Sequence, residues 1–424
     1  MKRFVLMNRI NAMRRPVIDL IVVRGSTIVL QTALALGMGW LCKPADFGEF
    51  VTVVAYAMVS TTVCSGGAYQ AALRVSHLLA SDSAWHGAMT KYLLRAVMRR
   101  ALFGGALTAI MLSTNKNVAW SNVAGGALLT ITASFASIAT GITRARGASM
   151  RYQVSELAIR IPAQILCVAG FIFIDKATSF TLVLCTVIAS ACSAGYLLAC
   201  LPIERTPARQ IPPRMGRLVK KFMTSASINA SLFSLFSACD ILVGSRILSS
   251  SDIAPLGIAN RVSSALAMIN SAIFDLQSSK IAPAIRRQRH QEVNRLMRLV
   301  AMESVTVTVF TAVLLAAVCI AIYSKLPVTY LAAMLPMGIL LVGRLIQSAI
   351  GPKSAVMTLR GHHTPLAWIV GIATAIEVAL IYLLAPSMGT PGVAIASALG
   401  LVLYSVAISM YVNRTSRAYI IAKN

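Results

Sequence analysis

Residues 201–221, LPIERTPARQIPPRMGRLVKK, divide the chain and decide how the rest of it is interpreted. The stretch holds four prolines and six basic residues, and long apolar segments lie on both sides of it. We therefore interpret residues 201–221 as a cytoplasmic linker. It joins an N-terminal half, residues 1–200, to a C-terminal half with a short tail, residues 222–424.

Outside this linker the chain is unusually apolar. Of its 424 residues, 57% are hydrophobic and 12% are charged, whereas a typical soluble domain has about 25% charged residues. A helix of about 20 apolar residues crosses the hydrocarbon core of a bilayer, and six such spans can be placed on each side of the linker. The predicted spans are residues 18–41, 46–70, 92–112, 122–143, 155–174, 178–200, 222–248, 254–278, 299–323, 328–350, 366–386 and 391–413. The composition excludes an ordinary soluble enzyme and predicts an all-α integral membrane protein.

The formal net charge of +26 would indicate nucleic acid as the partner of a soluble protein. If both termini lie inside, 30 of the 39 Lys and Arg residues fall in inner segments and five in outer loops. This asymmetry follows the positive-inside rule. Removing the third span, residues 92–112, would destroy it, so that span is retained although its first turns are basic. The charge is therefore a topology signal and an attraction to anionic inner-leaflet lipids, and no nucleic-acid partner is predicted.

An even number of spans in each half means that both halves enter the membrane from the same side. Two such halves are related by a pseudo-two-fold axis along the membrane normal, and transporters built in this way bind substrate between the halves near the midplane. The predicted architecture is therefore two six-helix bundles with a central cavity between them.

Signatures of catalysis and of nucleotide binding are missing from the sequence. It has no Walker A motif, no HExxH and no GxSxG. The eight cysteines form no CxxC pair and fall in or beside apolar spans, which is typical of small buried residues. The sequence predicts a protein that is not an enzyme and that uses no cofactor and no metal ion.

Besides Arg160, three arginines lie inside predicted spans, where an unpaired charge is costly. They are Arg24 in the first span, Arg261 in the eighth and Arg344 in the tenth. Guanidinium groups on helices of different halves suggest a cationic cavity, because their planar donors bind phosphate oxygens in pairs. The alternative is that these long side chains extend to the nearest lipid headgroups.

Acidic residues also lie inside the spans. Glu377 is central in its span and has no oppositely charged neighbour within a turn, which suits it to carry a proton; Asp240 and Asp275 are further candidates for ion coupling. Asp240 could instead pair with Arg261 or with Arg246, and Asp275 with Lys280. Glu156 stands four residues before Arg160, the favourable order for a local ion pair, and we assign this pair a structural role.

Several motifs resemble those of the bacterial polysaccharide-transport flippases, the O-antigen and exopolysaccharide branch of the multidrug/oligosaccharidyl-lipid/polysaccharide exporter superfamily. PADFGEF at residues 44–50 is similar to the P-x-x-F-G turn that follows their first helix. MGTPGVAIA at residues 388–396 resembles their entry to the twelfth helix. CDILVG at residues 239–244 resembles a stretch of their seventh helix, and Pro283 with the basic loop after it resembles their inner segment after the eighth.

The resemblance implies a substrate and a place in the cell. Similar proteins use arginines on the first and eighth helices to hold the diphosphate of a lipid-linked sugar, and Arg24 and Arg261 stand at matching places. The leading hypothesis is an alternating-access flippase that moves a polyprenyl-diphosphate-linked oligosaccharide outwards across the bacterial inner membrane, with both termini cytoplasmic, for surface polysaccharide biosynthesis. Polymerase and chain-length proteins of that pathway are possible partners.

Two other functions remain open at the level of sequence. A multidrug antiporter has the same fold and favours acidic residues that face the cavity for cationic drugs. A membrane-embedded glycan polymerase or ligase belongs to a different class and usually needs a large outer loop, whereas every predicted outer loop here has about ten residues or fewer.

Overall fold

The regular structure of the protein, seen in a computed structural model, is helical throughout the part of the chain that the model describes. The described residues are 26–27, 29–78, 83–145, 149–174, 177–201, 213–286, 290–323, 331–351, 353–359 and 361–421. The helices are α1 Val29–Leu41, α2 Pro44–Leu78, α3 Ser83–Ser113, α4 Trp120–Ala145, α5 Ser149–Val154, α6 Ile161–Phe173, α7 Ser179–Ala199, α8 Pro213–Ile247, α9 Ser250–Arg286, α10 His290–Tyr323, α11 Met334–Ile350, α12 Lys353–Leu359, α13 His363–Met388 and α14 Thr390–Ile421. A single π-helical turn, Ser155–Arg160, joins α5 to α6.

The all-α membrane prediction is confirmed. Within the described residues, nine helices are long and apolar enough to cross a membrane, and α1 and α11 are shorter apolar helices. The third predicted span, which begins among basic residues, coincides with the apolar stretch Ala88–Ser113 of α3. The predicted eighth span lies in α9, which is not one of the nine and which carries Asn260 and Arg261.

Two boundaries differ from the sequence prediction. Helix α8 begins at Pro213, so the last nine residues of the predicted linker are helical. Proline fits this position because the first turn of a helix does not need its N–H group. The loop predicted between the tenth and eleventh spans contains the short helix α12, which is flanked by Gly351 and Gly361 at φ angles of +78° and +81°. Glycine adopts these left-handed angles without steric cost.

The PADFGEF turn builds the outer corner of the N-terminal half, where "outer" and "inner" follow the predicted topology. Phe47 and Phe50 are buried in the main apolar core, with ring centroids 6.0 Å apart. Asp46 accepts a hydrogen bond from the backbone N–H of Ser179 at 3.2 Å, and Glu49 accepts one from the Ser179 hydroxyl at 2.8 Å. The two carboxylates therefore hold the first turn of α7, where negative charge is favourable.

Helix α2 connects the two halves along its whole length. Its inner part contacts α8 at Gly67, where a side chain would overlap the Met223 carbonyl oxygen. Its outer part contacts α9 at Gly48, where a side chain would overlap the Ser250 carbonyl oxygen. Glycine allows these close backbone approaches, a common way for helices to pack in membranes. The contact between the halves thus runs through α2, α8 and α9.

Candidate functional site

A cavity of about 290 Å³ lies between the two halves, beside the contact that α2 makes with α8 and α9. The N-terminal half contributes residues of α1, α2, the π-helical turn, α6 and α7, and the C-terminal half contributes residues of α8 and α9. The walls are mostly apolar and include Phe47 and Phe50 of the PADFGEF turn. Its polar lining residues include Gln31, Arg160, Gln164, Asn260, Arg261 and Ser264. The predicted central cavity is therefore present, with arginines from both halves.

A chain of hydrogen bonds crosses this cavity from one half to the other. The Arg261 guanidinium on α9 donates from Nη2 to Gln31 Oε1 on α1 at 3.1 Å. The Gln31 amide donates to Glu156 Oε2 at 3.4 Å, and Arg160 Nη1 donates to both Glu156 oxygens at 3.1 and 3.2 Å. We call Gln31, Glu156, Arg160 and Arg261 the cavity cluster. Two guanidinium groups and one carboxylate give it a net positive charge.

The predicted ion pair between Glu156 and Arg160 is confirmed, with its closest N–O distance at 3.1 Å. The sequence predicts a purely structural role for this pair, whereas in the structure Arg160 also lines the cavity. The pair occupies the π-helical turn, in which the N–H of Ile161 donates to the Glu156 carbonyl oxygen, five residues back. Such turns are rare and frequent at functional sites. Pro162, which has no N–H group, follows directly and is the sequence signal for this irregularity.

Arg261 is the predicted diphosphate-binding residue that the structure places in the cavity. Its side chain is exposed, and the space it faces is the cavity. Arg24, the second predicted residue, lies outside the described residues. Arg344, the third, lies on α11 and is not among the residues that line the cavity. The second guanidinium at the cavity is instead that of Arg160.

Arg344 belongs to a second group of charged residues, inside the C-terminal half. Its Nε donates to Ser263 Oγ at 3.2 Å and its Nη1 to Gln347 Oε1 at 3.1 Å. Asp240 on α8 and Glu377 on α13 are close enough to interact with it electrostatically. The structure therefore places two of the predicted ion-coupling residues in the same region of the C-terminal half as this arginine.

Both carboxylates in this group are buried. Asp240 is 4% exposed, and its two oxygens accept hydrogen bonds from Asn260 Nδ2 at 2.9 Å and from the backbone N–H of Ile241 at 2.8 Å. Glu377 is 2% exposed and accepts a hydrogen bond from Ser397 Oγ at 2.7 Å. Its second oxygen, Oε2, is buried without a hydrogen-bond partner in the part of the chain that the structure describes. We call Asp240, Asn260, Arg344, Glu377 and Ser397 the carboxylate cluster.

One residue connects the two clusters. Asn260 lines the cavity and also donates to Asp240. It precedes Arg261 in the chain, so consecutive residues of α9 contact the carboxylate cluster and the cavity cluster. A shift of α9 would therefore move residues of both clusters. Asp275, the third predicted coupling residue, belongs to α9 as well, but its side chain lies outside the described residues.

Hydrogen bonds close the outer end of the contact between the halves. Arg246 on α8 donates to the Tyr56 hydroxyl on α2 at 3.1 Å and to Thr114 Oγ1 at 3.1 Å. Tyr56 in turn donates to the Leu242 carbonyl oxygen at 3.2 Å, and the Asn117 amide donates to the Ser245 carbonyl oxygen at 3.0 Å. Arg246 thus binds a tyrosine and a threonine of the N-terminal half, and Asp240 takes its partner from α9. Within the described residues, no group of three or more His, Cys, Asp or Glu side chains could hold a metal ion.

Comparisons with known proteins identify the fold. No family model matches the sequence, and no curated protein does. Among solved structures, a multidrug resistance MATE family transporter of the MOP superfamily in an inward-facing conformation has a TM-score of 0.64 at 15% identity, with 94% of this chain and 98% of that chain covered. The lipid II flippase MurJ in an inward closed conformation has a TM-score of 0.66 at 11% identity, with 93% and 87% covered.

A third structure is a MOP superfamily transporter from Pyrococcus furiosus described as having a binding pocket of reverse polarity; it has a TM-score of 0.57 at 13% identity, with 95% of each chain covered. The matches extend over nearly the whole chain in all three cases. At these identities they establish architecture rather than substrate. The protein is a multi-helix membrane protein with the fold of the MOP superfamily transporters.

Proposed function

We propose that this protein is an alternating-access flippase that moves a polyprenyl-diphosphate-linked oligosaccharide from the inner to the outer leaflet of a bacterial inner membrane. The diphosphate crosses through the cavity while the polyprenyl tail stays in the bilayer. The glycan serves the assembly of a surface polysaccharide, so a polymerase and chain-length proteins of that pathway are the expected partners. MurJ, which shares the fold, is described as a lipid II flippase.

The observation that carries this proposal is the pair of arginines at the cavity. Arg160 comes from the N-terminal half and Arg261 from the C-terminal half, and one carboxylate, Glu156, partly offsets them. The resulting net charge of +1 favours an anionic guest, and phosphate oxygens match the paired donors of a guanidinium group. A cationic drug would meet net repulsion at the same place.

The volume of the cavity agrees with a headgroup as the guest. Small-molecule pockets usually measure about 300 to 1,000 Å³, and this cavity of about 290 Å³ is at the low end. A diphosphate with its first sugar is of that order, whereas a complete lipid-linked oligosaccharide is much larger. Only the anionic part of the substrate therefore needs to occupy the cavity, with the tail between helices and the remaining sugars towards the open side.

The carboxylate cluster supplies a means of coupling in this proposal. Glu377 and Asp240 are buried beside Arg344, so a proton or a cation that binds there changes the charge of a packed, water-poor region. Asn260 transmits that change to α9, because it donates to Asp240 and precedes Arg261. In this scheme Arg344 balances the charge of the carboxylates, and the substrate is held by Arg160 and Arg261, with Arg24 as a further candidate.

The test is the transport activity of Arg261→Ala in proteoliposomes that contain a fluorescent polyprenyl-diphosphate-linked sugar. We expect flipping to fall about 10- to 150-fold, since a charge-assisted contact of this kind contributes about 1.5–3 kcal/mol. Arg261→Lys should retain part of the activity because it keeps the charge.

Lys116→Ala is the matched control, because Lys116 is an exposed residue of an outer loop and its loss changes the net charge equally. Its flipping rate should equal that of the unaltered protein. Undiminished flipping by Arg261→Ala, with normal protein levels, would remove this residue from the substrate site.

A multidrug antiporter is the second candidate, and one observation favours it. Glu156 is a carboxylate at the cavity cluster, and a MATE family transporter is among the structures with this fold. If Glu156 or the carboxylates Asp240 and Glu377 bind cations, cells that express the protein should export ethidium, and the Glu377→Gln variant should not. The flippase proposal predicts no ethidium export from cells that express the unaltered protein or the Glu377→Gln variant.

A further inference from the structure

A second cavity, of about 620 Å³, lies away from the substrate cavity, between the first turns of α8 and the start of α13. In the predicted topology both helices begin at the inner membrane surface. Its lining residues from α8 include Arg217, Lys221, Ser225 and Ile228, and those from α13 include Thr364 and Ala367. We call this cavity the α8–α13 groove. It shares no residue with the substrate cavity.

Positive charge is concentrated at the inner end of the groove. Arg217, Lys220 and Lys221 line it and are exposed, and no aspartate or glutamate is among its lining residues. Arg217 and Lys221 are one helical turn apart, with Ser225 and Ile228 in the following turns, so they share one face of α8. Three basic side chains therefore converge on one space without an acidic partner in its walls.

The backbone adds to this positive potential. Helix α13 spans 26 residues and begins beside the groove at His363, and its first turn holds no acidic residue. His362, at the N-cap, makes no side-chain capping hydrogen bond. Helix N-termini carry a partial positive charge and favour anions. Hydroxyl groups of Ser225 and Thr364 line the same space and can donate hydrogen bonds to an anion.

The other end of the groove is mostly apolar, with Asn229 as its polar lining residue. Ile228, one of its lining residues, is 52% exposed, and Ala367 faces it from α13. Lys221 and Ile228 are seven residues apart, a rise of about 10 Å along the helix. Gly371 lies one turn beyond Ala367 on α13, and no atom lies within 4 Å of the position that a side chain would take there. The groove thus changes from basic to apolar over the distance between headgroups and acyl chains.

We propose that the α8–α13 groove is a binding site for an anionic phospholipid of the inner leaflet. Its phosphate lies among Arg217, Lys220, Lys221 and the first turn of α13, and its acyl chains lie along Ile228 and Ala367. The apolar wall selects a lipid over free phosphate, because free phosphate has no acyl chains to pack against it. The bound lipid links the inner ends of α8 and α13, the helices that carry Asp240 and Glu377. The site requires only that the protein spans a membrane and does not depend on the proposed substrate.

The test uses the full chain in detergent, titrated with phosphatidylglycerol while its unfolding temperature is followed. We expect saturable stabilisation by phosphatidylglycerol, and little by phosphatidylcholine or by inorganic phosphate at equal concentration. The triple variant Arg217→Gln, Lys220→Gln, Lys221→Gln should bind phosphatidylglycerol about a hundredfold more weakly, because each basic residue near an anionic headgroup contributes about 1 kcal/mol.

The control is a second triple variant, Lys91→Gln, Arg95→Gln, Arg99→Gln, which removes three exposed basic residues from the inner part of α3, outside the groove. It should keep the affinity of the unaltered protein. Equal losses in both triple variants would mean diffuse attraction to the surface and would overturn the site. Equal stabilisation by inorganic phosphate would overturn the choice of a lipid.

A further variant covers the case in which the triple variant in α8 fails to fold. Ala367→Leu fills the apolar end of the groove and leaves every charge in place. Native mass spectrometry of the purified protein should then detect less co-purified phosphatidylglycerol than in the unaltered protein. Undiminished lipid retention by Ala367→Leu would contradict the proposed position of the acyl chains.

Discussion

The cavity cluster and the carboxylate cluster use the same chemical groups in opposite settings. In the cavity cluster, two arginines outnumber one carboxylate, and Arg261 is exposed to an open space between the halves. In the carboxylate cluster, two carboxylates outnumber one arginine. Asp240 and Glu377 both lie inside the C-terminal half, and less than a tenth of each residue is exposed. This difference is why we propose an anionic headgroup as the ligand of the first and a proton or a small cation as the ligand of the second.

The difference between the clusters also lies in what they join. The cavity cluster bridges the halves through the hydrogen bond from Arg261 to Gln31, so movement of one half against the other breaks it. The carboxylate cluster bridges helices α8, α9, α11, α13 and α14 of the C-terminal half. In our proposal, the substrate is contacted where the halves separate, and charge is regulated where packing is retained. Asn260 and Arg261 join the two.

Among the variants that test the difference between the two clusters, Glu377→Gln is expected to change transport most. The amide keeps the shape of the side chain but cannot ionise, so the carboxylate cluster loses its response to a proton or cation. We expect transport to lose its dependence on the ion gradient, with a rate about 5- to 150-fold lower, the usual range of a coupling free energy. Binding of the lipid-linked sugar should be unchanged, as measured by quenching of its fluorescence.

Arg261→Ala is the counterpart, because it should weaken that binding. Each variant thus separates one function from the other. If Glu377→Gln weakened substrate binding as much as Arg261→Ala does, the two clusters would form one site and the distinction between them would be wrong.

A smaller effect is expected for Glu156→Gln, which makes the cavity cluster more positive. The substitution leaves Arg160 without its carboxylate, so an anionic headgroup should bind up to about tenfold more tightly, while the free energy of unfolding falls by about 2 kcal/mol for the broken, partly buried pair. Binding titrations at two salt concentrations and thermal unfolding measure the two changes.

Glu156→Asp is the control for this variant, because it keeps the negative charge and should leave affinity near its original value. Unchanged affinity in Glu156→Gln, together with the loss of stability, would give the pair the purely structural role that its i,i+4 spacing suggested.

Most of the fold follows from the sequence because the bilayer imposes simple rules. Length and apolar composition give the spans, and the asymmetry of basic residues retained the third span, which the structure confirms as Ala88–Ser113. The sequence did not indicate that α8 would begin at Pro213 or that α12 would form, because neither depends on crossing the membrane. Local propensity and packing decide such segments, and their periodic signal is weak.

The site was predictable only in part, because depth along a helix says nothing about which way a side chain faces. Depth along the helices predicts one cavity for Arg261 and Arg344, and the family resemblance supports it for Arg261. The structure places Arg261 at the cavity and Arg344 in the region of Asp240 and Glu377. Arg160 was assigned to its local partner, and its contact with the cavity depends on the π-helical turn before Pro162. A proline two residues after an intramembrane charge is the available signal.

The smallest effect is expected for Ser397→Ala, which tests whether Glu377 depends on its one hydrogen-bond donor. The Ser397 hydroxyl donates at 2.7 Å, and the other oxygen of Glu377 is buried without a partner in the described part of the chain. Loss of the Ser397 hydroxyl should lower the free energy of unfolding by about 1 kcal/mol and shift the proton or cation concentration at which transport is half-maximal.

Ser405→Ala is the matched control on the same helix, because that buried hydroxyl donates to the Leu401 carbonyl oxygen. It should change neither quantity appreciably. Equal effects of the two substitutions would show that Glu377 is held by packing against α14 at Gly400 rather than by Ser397.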